Sequence, residues 1–286
     1  TSVNKNGVWK KVFKSKSVVK LGEGAIHKNE IAPIPFRRGI KALEHYKKII
    51  DIHMPEKVFA FATSAIRGAT NGHDFVAMAK EKTGIEITVI SGEKEAELIY
   101  LGVRQCISLN DQPALIMDIG GGSTEFIIAD KDKIFWKHSF NIGAARLLEM
   151  FRPSDPILPA EISSIETFLS NELAIMVDAV EKFKPEHLIG SSGSFDTFAE
   201  MIGYEFHNRN VISDKNSYSF KIDEYLKLHE KILYSTAMQR NLMKGLVKMR
   251  IDMIVMATIC TSMVLNKTGI KKMTLSKYAL KEGALS

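Results

Sequence analysis

Asp118–Glu125 reads DIGGGSTE and stands between two apolar runs, PALIM (113–117) and FIIAD (126–130). An aspartate ends the first run, three glycines turn the chain, and two hydroxyls and an acid open the second. This order excludes two familiar phosphate loops. A dinucleotide fingerprint needs GxGxxG opening a helix, whereas a strand rich in β-branched residues follows here. A GK[ST] loop needs a lysine and a following helix, and neither is present. What remains is a strand–loop–strand hairpin with bare amides at its tip. Successive glycine N–H groups can form an anion-binding concavity. Ser123 and Thr124 add hydroxyl donors, and Asp118 can hold a hydrated Mg²⁺ through water. The plainer alternative is a strained turn beside a buried acid.

Outward from this loop the chain changes character. Ala114 to Ile119, Thr124 to Ala129 and Ile134 to Phe140 read as consecutive strands, and Asp130–Lys133 (DKDK) as a turn, which makes an antiparallel meander. Before it, strands and helices alternate, as in an α/β domain. A helix covers Ile40 to Ile52, a strand 57–62, and Thr63 and Ser64 are caps of a short helix. A second helix runs from Asp74 to Lys82, a strand from Ile85 to Ile90, and a helix capped by Ser91 to about Ile107. After the meander, a helix starts within 141–150, three prolines mark a loop, and 160–182 reads as one long helix. His187 to Gly190 is a strand closed by SSGS, and helices dominate from there. The domain boundary falls near Gln112–Pro113, giving units of 1–112 and 113–271.

The beginning of the chain is read separately. Asn4–Gly7 (NKNG) has the form of a hairpin turn, and 8–21 reads as strands. Only three residues precede that turn, so the sequence is expected to lack a first strand. Lys10, Lys11, Lys14, Lys16 and Lys20 form a basic stripe. It is either a solvated strand face or a track for a polyanion.

Bulk properties narrow the class. A chain of 286 residues with 45% hydrophobic and 25% charged residues is ordinary for a globular protein of about two domains. The net charge of +6 suits a polyanionic partner. Two distant cysteines, Cys106 and Cys260, write no disulfide framework and no zinc motif, which favours a reducing compartment, the cytoplasm; both read as small buried apolar residues. The apolar run 253–265 is shorter than the roughly 20 residues that span a bilayer and reads as a core helix. Neither DNA nor a membrane is an expected partner.

Three further stretches carry chemistry. Arg67 sits in the first turn after Thr63-Ser64, where the helix N-terminus favours an anion; it either serves a phosphate or is simply exposed. On the helix after Ser91, Glu95 lies at the edge of the apolar face, while Glu93 and Glu97 point to a wetter side. Glu95 is thus aimed at a cleft, where a carboxylate can orient water, or it is a helix-start acid. Gly193 and Ser194, in SSGS, repeat the glycine–hydroxyl turn at a helix start and either hold a second phosphate or cap the helix. Arg250 and Asp252 are assigned to bracing the core helix.

ATSAIRGATNG (62–72), VISGEKEAELIYLGV (89–103), MDIGGGSTEF (117–126), IGSSGSFDTFAE (189–200), GLVKMRIDM (245–253) and YALKEGAL (278–285) occur in this order. Together they resemble the exopolyphosphatase / guanosine-pentaphosphate phosphohydrolase (Ppx/GppA) family, over nearly the whole chain. The resemblance implies the actin-like ATPase superfamily (ribonuclease H-like) fold, two α/β domains flanking a cleft, with the last helix, about 272–286, crossing back to the first. It implies Glu95 as the residue that positions the attacking water, and Asp118 and Glu125 as ligands of Mg²⁺ or Mn²⁺. It also implies Arg67, Gly120, Gly121, Gly122, Ser123, Gly193 and Ser194 as phosphate contacts. The substrate implied is inorganic polyphosphate or guanosine pentaphosphate, and a homodimer is suggested. Two departures stand out. The family's first phosphate loop, of the type DxGSNS, has no match, and the sequence resembles the family's short, two-domain form rather than its long members with extra C-terminal helical domains. Lys281 also stands where arginine is usual. A kinase of small molecules and a non-catalytic phosphate sensor remain alternatives on the same fold.

Overall fold

A computed structural model describes residues 2–3, 9–10 and 13–286. Its central feature is the meander: β5 (Ala114–Ile119), β6 (Thr124–Ala129) and β7 (Ile134–Phe140) pair antiparallel. On the far side of β5, β8 (His187–Ser191) pairs parallel, then β10 (Lys272–Ser276) parallel to β8, and β9 (Ser217–Phe220) antiparallel at the edge. The strand order is β7-β6-β5-β8-β10-β9. An antiparallel meander is thus continued by two parallel strands.

The continuous apolar writing of β5 and β6 has a cause: both faces of the sheet are covered. Side chains alternate along a strand. Leu115, Met117, Phe126 and Ile128 therefore face the larger core, with α11 (Met253–Thr268), while Ala114, Ile116, Ile127 and Ala129 face α4 (Gly92–Arg104). α11 is buried from Ile254 to Leu265, as a helix apolar on all sides should be. α5 (Ala144–Phe151), α6 (Pro159–Glu172), α7 (Ala174–Phe183), α8 (Ser192–His207), α9 (Ile222–Leu233) and α10 (Ala237–Leu242) complete this half.

The first part is smaller. α1 (Pro33–His53) and α3 (Gly72–Thr83) pack through Ile40, Phe75 and Ala79. Beside them a parallel pair joins β3 (Ala60–Ala62) and β4 (Ile87–Val89), with α2 (Ser64–Arg67) directly after β3. α12 (Leu280–Gly283) lies on α4 so closely that a Cβ on Gly283 would stand 1.8 Å from the Leu98 carbonyl oxygen. Among the described residues, no helix is long and apolar enough to cross a membrane.

Several expectations need correction. β1 (Ser2–Val3) and β2 (Trp9–Lys10) pair antiparallel; the turn Asn4–Gly7 lies outside the described residues. Residues 13–20 are not a strand. Their backbone is held by α1 side chains instead: the Ser17 N–H donates to the Tyr46 hydroxyl at 2.9 Å, and Arg38 donates to the Val19 carbonyl. The long helix of 160–182 breaks at Leu173, and two strands, β9 and β10, interrupt the helical C-terminal part. Cys260 is buried, but Cys106 is only half-buried.

Candidate active site

β5 and β8 run parallel in a register that sets Asp118 beside Ser191, and the Ser191 hydroxyl donates to Asp118 Oδ2 at 2.7 Å. Across the hairpin, Asp118 pairs with Glu125. Glu125 Oε1 accepts from the Ser123 hydroxyl at 2.6 Å and from the Ser139 hydroxyl at 2.7 Å. From the smaller half, Arg67 Nη1 donates to Glu95 Oε2 at 2.8 Å and to the Ile90 carbonyl at 3.1 Å, and Nη2 reaches the Ser139 hydroxyl at 3.4 Å. Three carboxylates and one guanidinium thus share a region built from α2, α4, β5, β6 and β7.

All three acids are buried, and their proton affinities show it. Burial pushes Asp118 up to about 6, against the Ser191 hydrogen bond and helped by the Glu95 charge. Burial, then the Glu95 and Asp118 charges, push Glu125 up to about 8. Burial also raises Glu95, but Arg67 and the Thr63 hydroxyl oppose it.

The glycine loop is oriented by α5. Gly120 O accepts from Ala144 N–H at 3.0 Å, Gly121 O from Ala145 and Arg146 N–H at 3.0 Å, and Gly122 O from Arg146 Nε at 3.0 Å. A trans peptide is planar, with its N–H opposite its C=O. The N–H groups of Gly121, Gly122 and Ser123 therefore point away from α5, and no acceptor among the described residues takes them. Ser64 completes the loop's surroundings. A Cβ on Gly122 would lie 2.5 Å from Ser64 Oγ, and that hydroxyl is buried with no hydrogen-bond partner among the described residues. Neither Thr63 nor Ser64 caps α2 with its side chain, contrary to the sequence reading.

The second turn has a different construction. Ser192, the first residue of α8, takes φ of +71°, a left-handed conformation that strains a non-glycine residue. Arg250 crosses directly over the next residue; a Cβ on Gly193 would meet its Nη2 at 1.5 Å. Arg250 Nη1 donates to Thr197 Oγ1 at 3.1 Å, whose hydroxyl donates to the Gly193 carbonyl at 2.8 Å.

Both turns open on one cavity of about 470 Å³. Glu95, Gly120, Gly121, Gly122, Ser123, Gly193 and Ser194 line it, with Thr63, Ser64 and Arg250. Arg67, Asp118 and Glu125 do not; Arg67 bonds to Glu95 and Glu125 to Ser123, both in the wall, whereas Asp118 bonds to Ser191, which is not part of it. Arg250 and Asp252, which sequence reasoning assigned to structure, also line it. No local signal marks Arg250, because the glycine that admits it lies in another helix.

Bare amides, an orphan hydroxyl and Arg250 suit an anion rich in oxygen, and a carboxylate in the same wall suits a water molecule. The class so described is a phosphoanhydride hydrolase on an α/β frame. The chain belongs to the Ppx/GppA phosphatase family, whose pattern matches residues 2–286. A solved exopolyphosphatase from Cytophaga hutchinsonii is 34% identical and superimposes with a TM-score of 0.95, over 99% of this chain and 91% of that one. A bifunctional 3-dehydroquinate synthase/phosphatase from Fusobacterium nucleatum is 31% identical over 274 residues, 93% of this chain but only 40% of that longer protein. Exopolyphosphatase 1 of Mycobacterium tuberculosis is 25% identical over 272 residues, 95% of this chain and 78% of that one.

Proposed function

We propose that this protein releases terminal orthophosphate from inorganic polyphosphate by in-line attack of water. The observation that carries this reading is the polarity of the glycine loop: three N–H groups that, among the described residues, have no acceptor, beside the Ser64 hydroxyl that has no partner among them, in a cavity that Glu95 also lines. Such preorganised donors neutralise charge on a transferring phosphoryl group. Glu95, held by Arg67, orients the water and takes its proton. Arg250 supplies further positive charge at the second turn.

A divalent cation fits two of the acids. Asp118 and Glu125 are buried carboxylates held by hydroxyls, and among the described residues no cationic side chain bonds to either. Among the described residues, no group of three His, Cys, Asp or Glu could enclose an ion. Mg²⁺ needs no such cage, since it binds through one or two carboxylates, water and substrate phosphates. Asp118 and Glu125 would hold it, and it would supply charge neutralisation at the phosphates. The unpaired cysteines support a cytoplasmic setting.

Phosphate release from long-chain polyphosphate, with and without Mg²⁺, tests the reading. Magnesium-dependent release is expected, and Asp118→Ala should shift the magnesium titration to higher concentration. Release from guanosine pentaphosphate alone would keep the chemistry and change the substrate. Binding of both without release would make the protein a phosphate sensor.

A further inference from the structure

The carbonyls of the glycine loop are not all held alike. Gly120 O and Gly121 O accept from main-chain N–H groups of α5, which any helix at that place would supply. Gly122 O accepts instead from a side chain, Arg146 Nε, at 3.0 Å. Because a peptide is planar, the Gly122 oxygen sets the direction of the Ser123 N–H. Of the three loop N–H groups that have no acceptor among the described residues, one therefore depends on a single side chain.

Arg146 is buried, and a guanidinium taken out of water must be bonded to offset its desolvation. Glu149, the acid nearest to it in sequence, pairs with His27 at 3.1 Å. Arg146 turns to neutral oxygens of the smaller half: Nη1 donates to the Ile26 carbonyl at 2.9 Å and to Asn29 Oδ1 at 3.3 Å. Nη2 lies against the end of α2, since a Cβ on Gly68 would stand 3.9 Å from it. The Asn29 carbonyl in turn accepts from the Thr70 N–H at 2.8 Å, in the turn between α2 and α3. One guanidinium thus joins the glycine loop to the segment and the turn beside α2, and α2 carries the Ser64 hydroxyl. Ile26 and Ser64 line the cavity next to Gly122, where an added Cβ would stand 3.0 Å from Ile26 Cδ1.

We infer that Arg146 is a positioning residue. It aims the Ser123 N–H into the cavity and keeps the glycine loop in register with the Ser64 hydroxyl, so that donors from both halves of the molecule meet one phosphoryl group. The inference rests on the reading of that loop as the phosphate site. The role needs the arginine fork: Nε and Nη1 bond to oxygens of different chain segments at once. A lysine keeps the charge but ends in one nitrogen on a flexible stem.

The test uses the full chain and compares Arg146→Lys with His27→Ala, which cuts another tie between the same segment and α5 but none to the loop. Isothermal titration gives Kd for orthophosphate, and phosphate release from long-chain polyphosphate gives kcat, both well below the unfolding temperature. Arg146→Lys should raise the orthophosphate Kd about tenfold, the share of one hydrogen bond to a charged group. It should lower kcat at least as much, since such donors act most strongly on the transition state. The Ser123 amide resonance of the phosphate-free protein should shift as well, and His27→Ala should change none of the three. A normal Kd and kcat in Arg146→Lys, or equal losses in His27→Ala, would overturn the inference. If Arg146→Lys does not fold, Asn29→Gly takes its place: it suits the left-handed backbone there and removes one acceptor of Nη1. It should raise Kd about two- to threefold, and an unchanged Kd would overturn the inference. If the wild type binds orthophosphate but hydrolyses nothing, the reaction assignment fails and the Kd comparison alone decides for or against Arg146.

Discussion

Glu95 and Glu125 are buried glutamates of one site, and they are held in opposite ways. Glu95 faces a guanidinium at 2.8 Å. Glu125 faces two hydroxyls, at 2.6 and 2.7 Å. A cation balances a carboxylate's charge, whereas a hydroxyl only orients it. Arg67 accordingly opposes the effect of burial at Glu95, while Glu125, pushed by burial and two acidic neighbours, rises to about 8. The lesson is that desolvation does not by itself decide which acid ionises; the partner does. The role proposed for Glu95, orienting water, needs an ionised carboxylate, and Arg67 is a cation placed to favour it. Glu125 would receive one from outside.

The sharpest way to break this comparison is Glu95→Gln. It keeps the shape and removes the charge, so turnover should fall about 10²–10⁴-fold with phosphate-chain binding retained. Steady-state phosphate release beside equilibrium binding reads both, and a near-normal rate would remove Glu95 from the role. Next is Arg67→Ala, which strands the Glu95 charge in a buried place. Denaturant unfolding should show a loss of about 2–4 kcal/mol, partly recovered when Glu95→Gln is added. A neutral Arg67→Ala would mean that the pair does not hold Glu95 as described.

The third prediction concerns pH. The folded-state proton affinity of Glu125 is raised, so between about 5 and 8 the folded metal-free protein keeps a proton that the unfolded chain releases. Its stability should therefore fall as pH rises through that window, by about 5 °C in Tm. Glu125→Gln should flatten that slope, and a wild-type profile already flat would count against the hydroxyl-only setting. The smallest effect belongs to Ser139→Ala, which removes one donor from Glu125. It should cost about 1 kcal/mol and raise the pH at which Glu125 ionises.

What the sequence disclosed depended on how local the cause was. The meander of β5, β6 and β7 was readable to the residue, because apolar runs, the glycine loop and the DKDK turn lie side by side. Burial of Glu95 followed from its row on α4. β9 and β10 escaped because their partners lie far away in sequence: Lys272–Ser276 pairs with His187–Ser191 and carries no turn signal of its own. The break at Leu173 has no glycine or proline to announce it. Residues 13–20 have the composition of a strand, but side chains of α1, not a neighbouring strand, satisfy two of their backbone groups. Ser139 and Arg250 were invisible for the same reason, since each matters only through residues distant in the chain.

The seating of the glycine loop on α5 has an electrical consequence. The first-turn N–H groups of α5 carry the positive end of the helix dipole. They donate to the carbonyls of Gly120 and Gly121. Hydrogen bonds in series polarise one another, so each loop peptide receives the helix's field at its oxygen and presents a stronger donor at its nitrogen. The helix would not touch a bound anion with its own amides; two peptide groups would relay its charge. If the loop holds phosphate as proposed, an insertion that lifted it from α5 would leave every glycine in place and still weaken that hold.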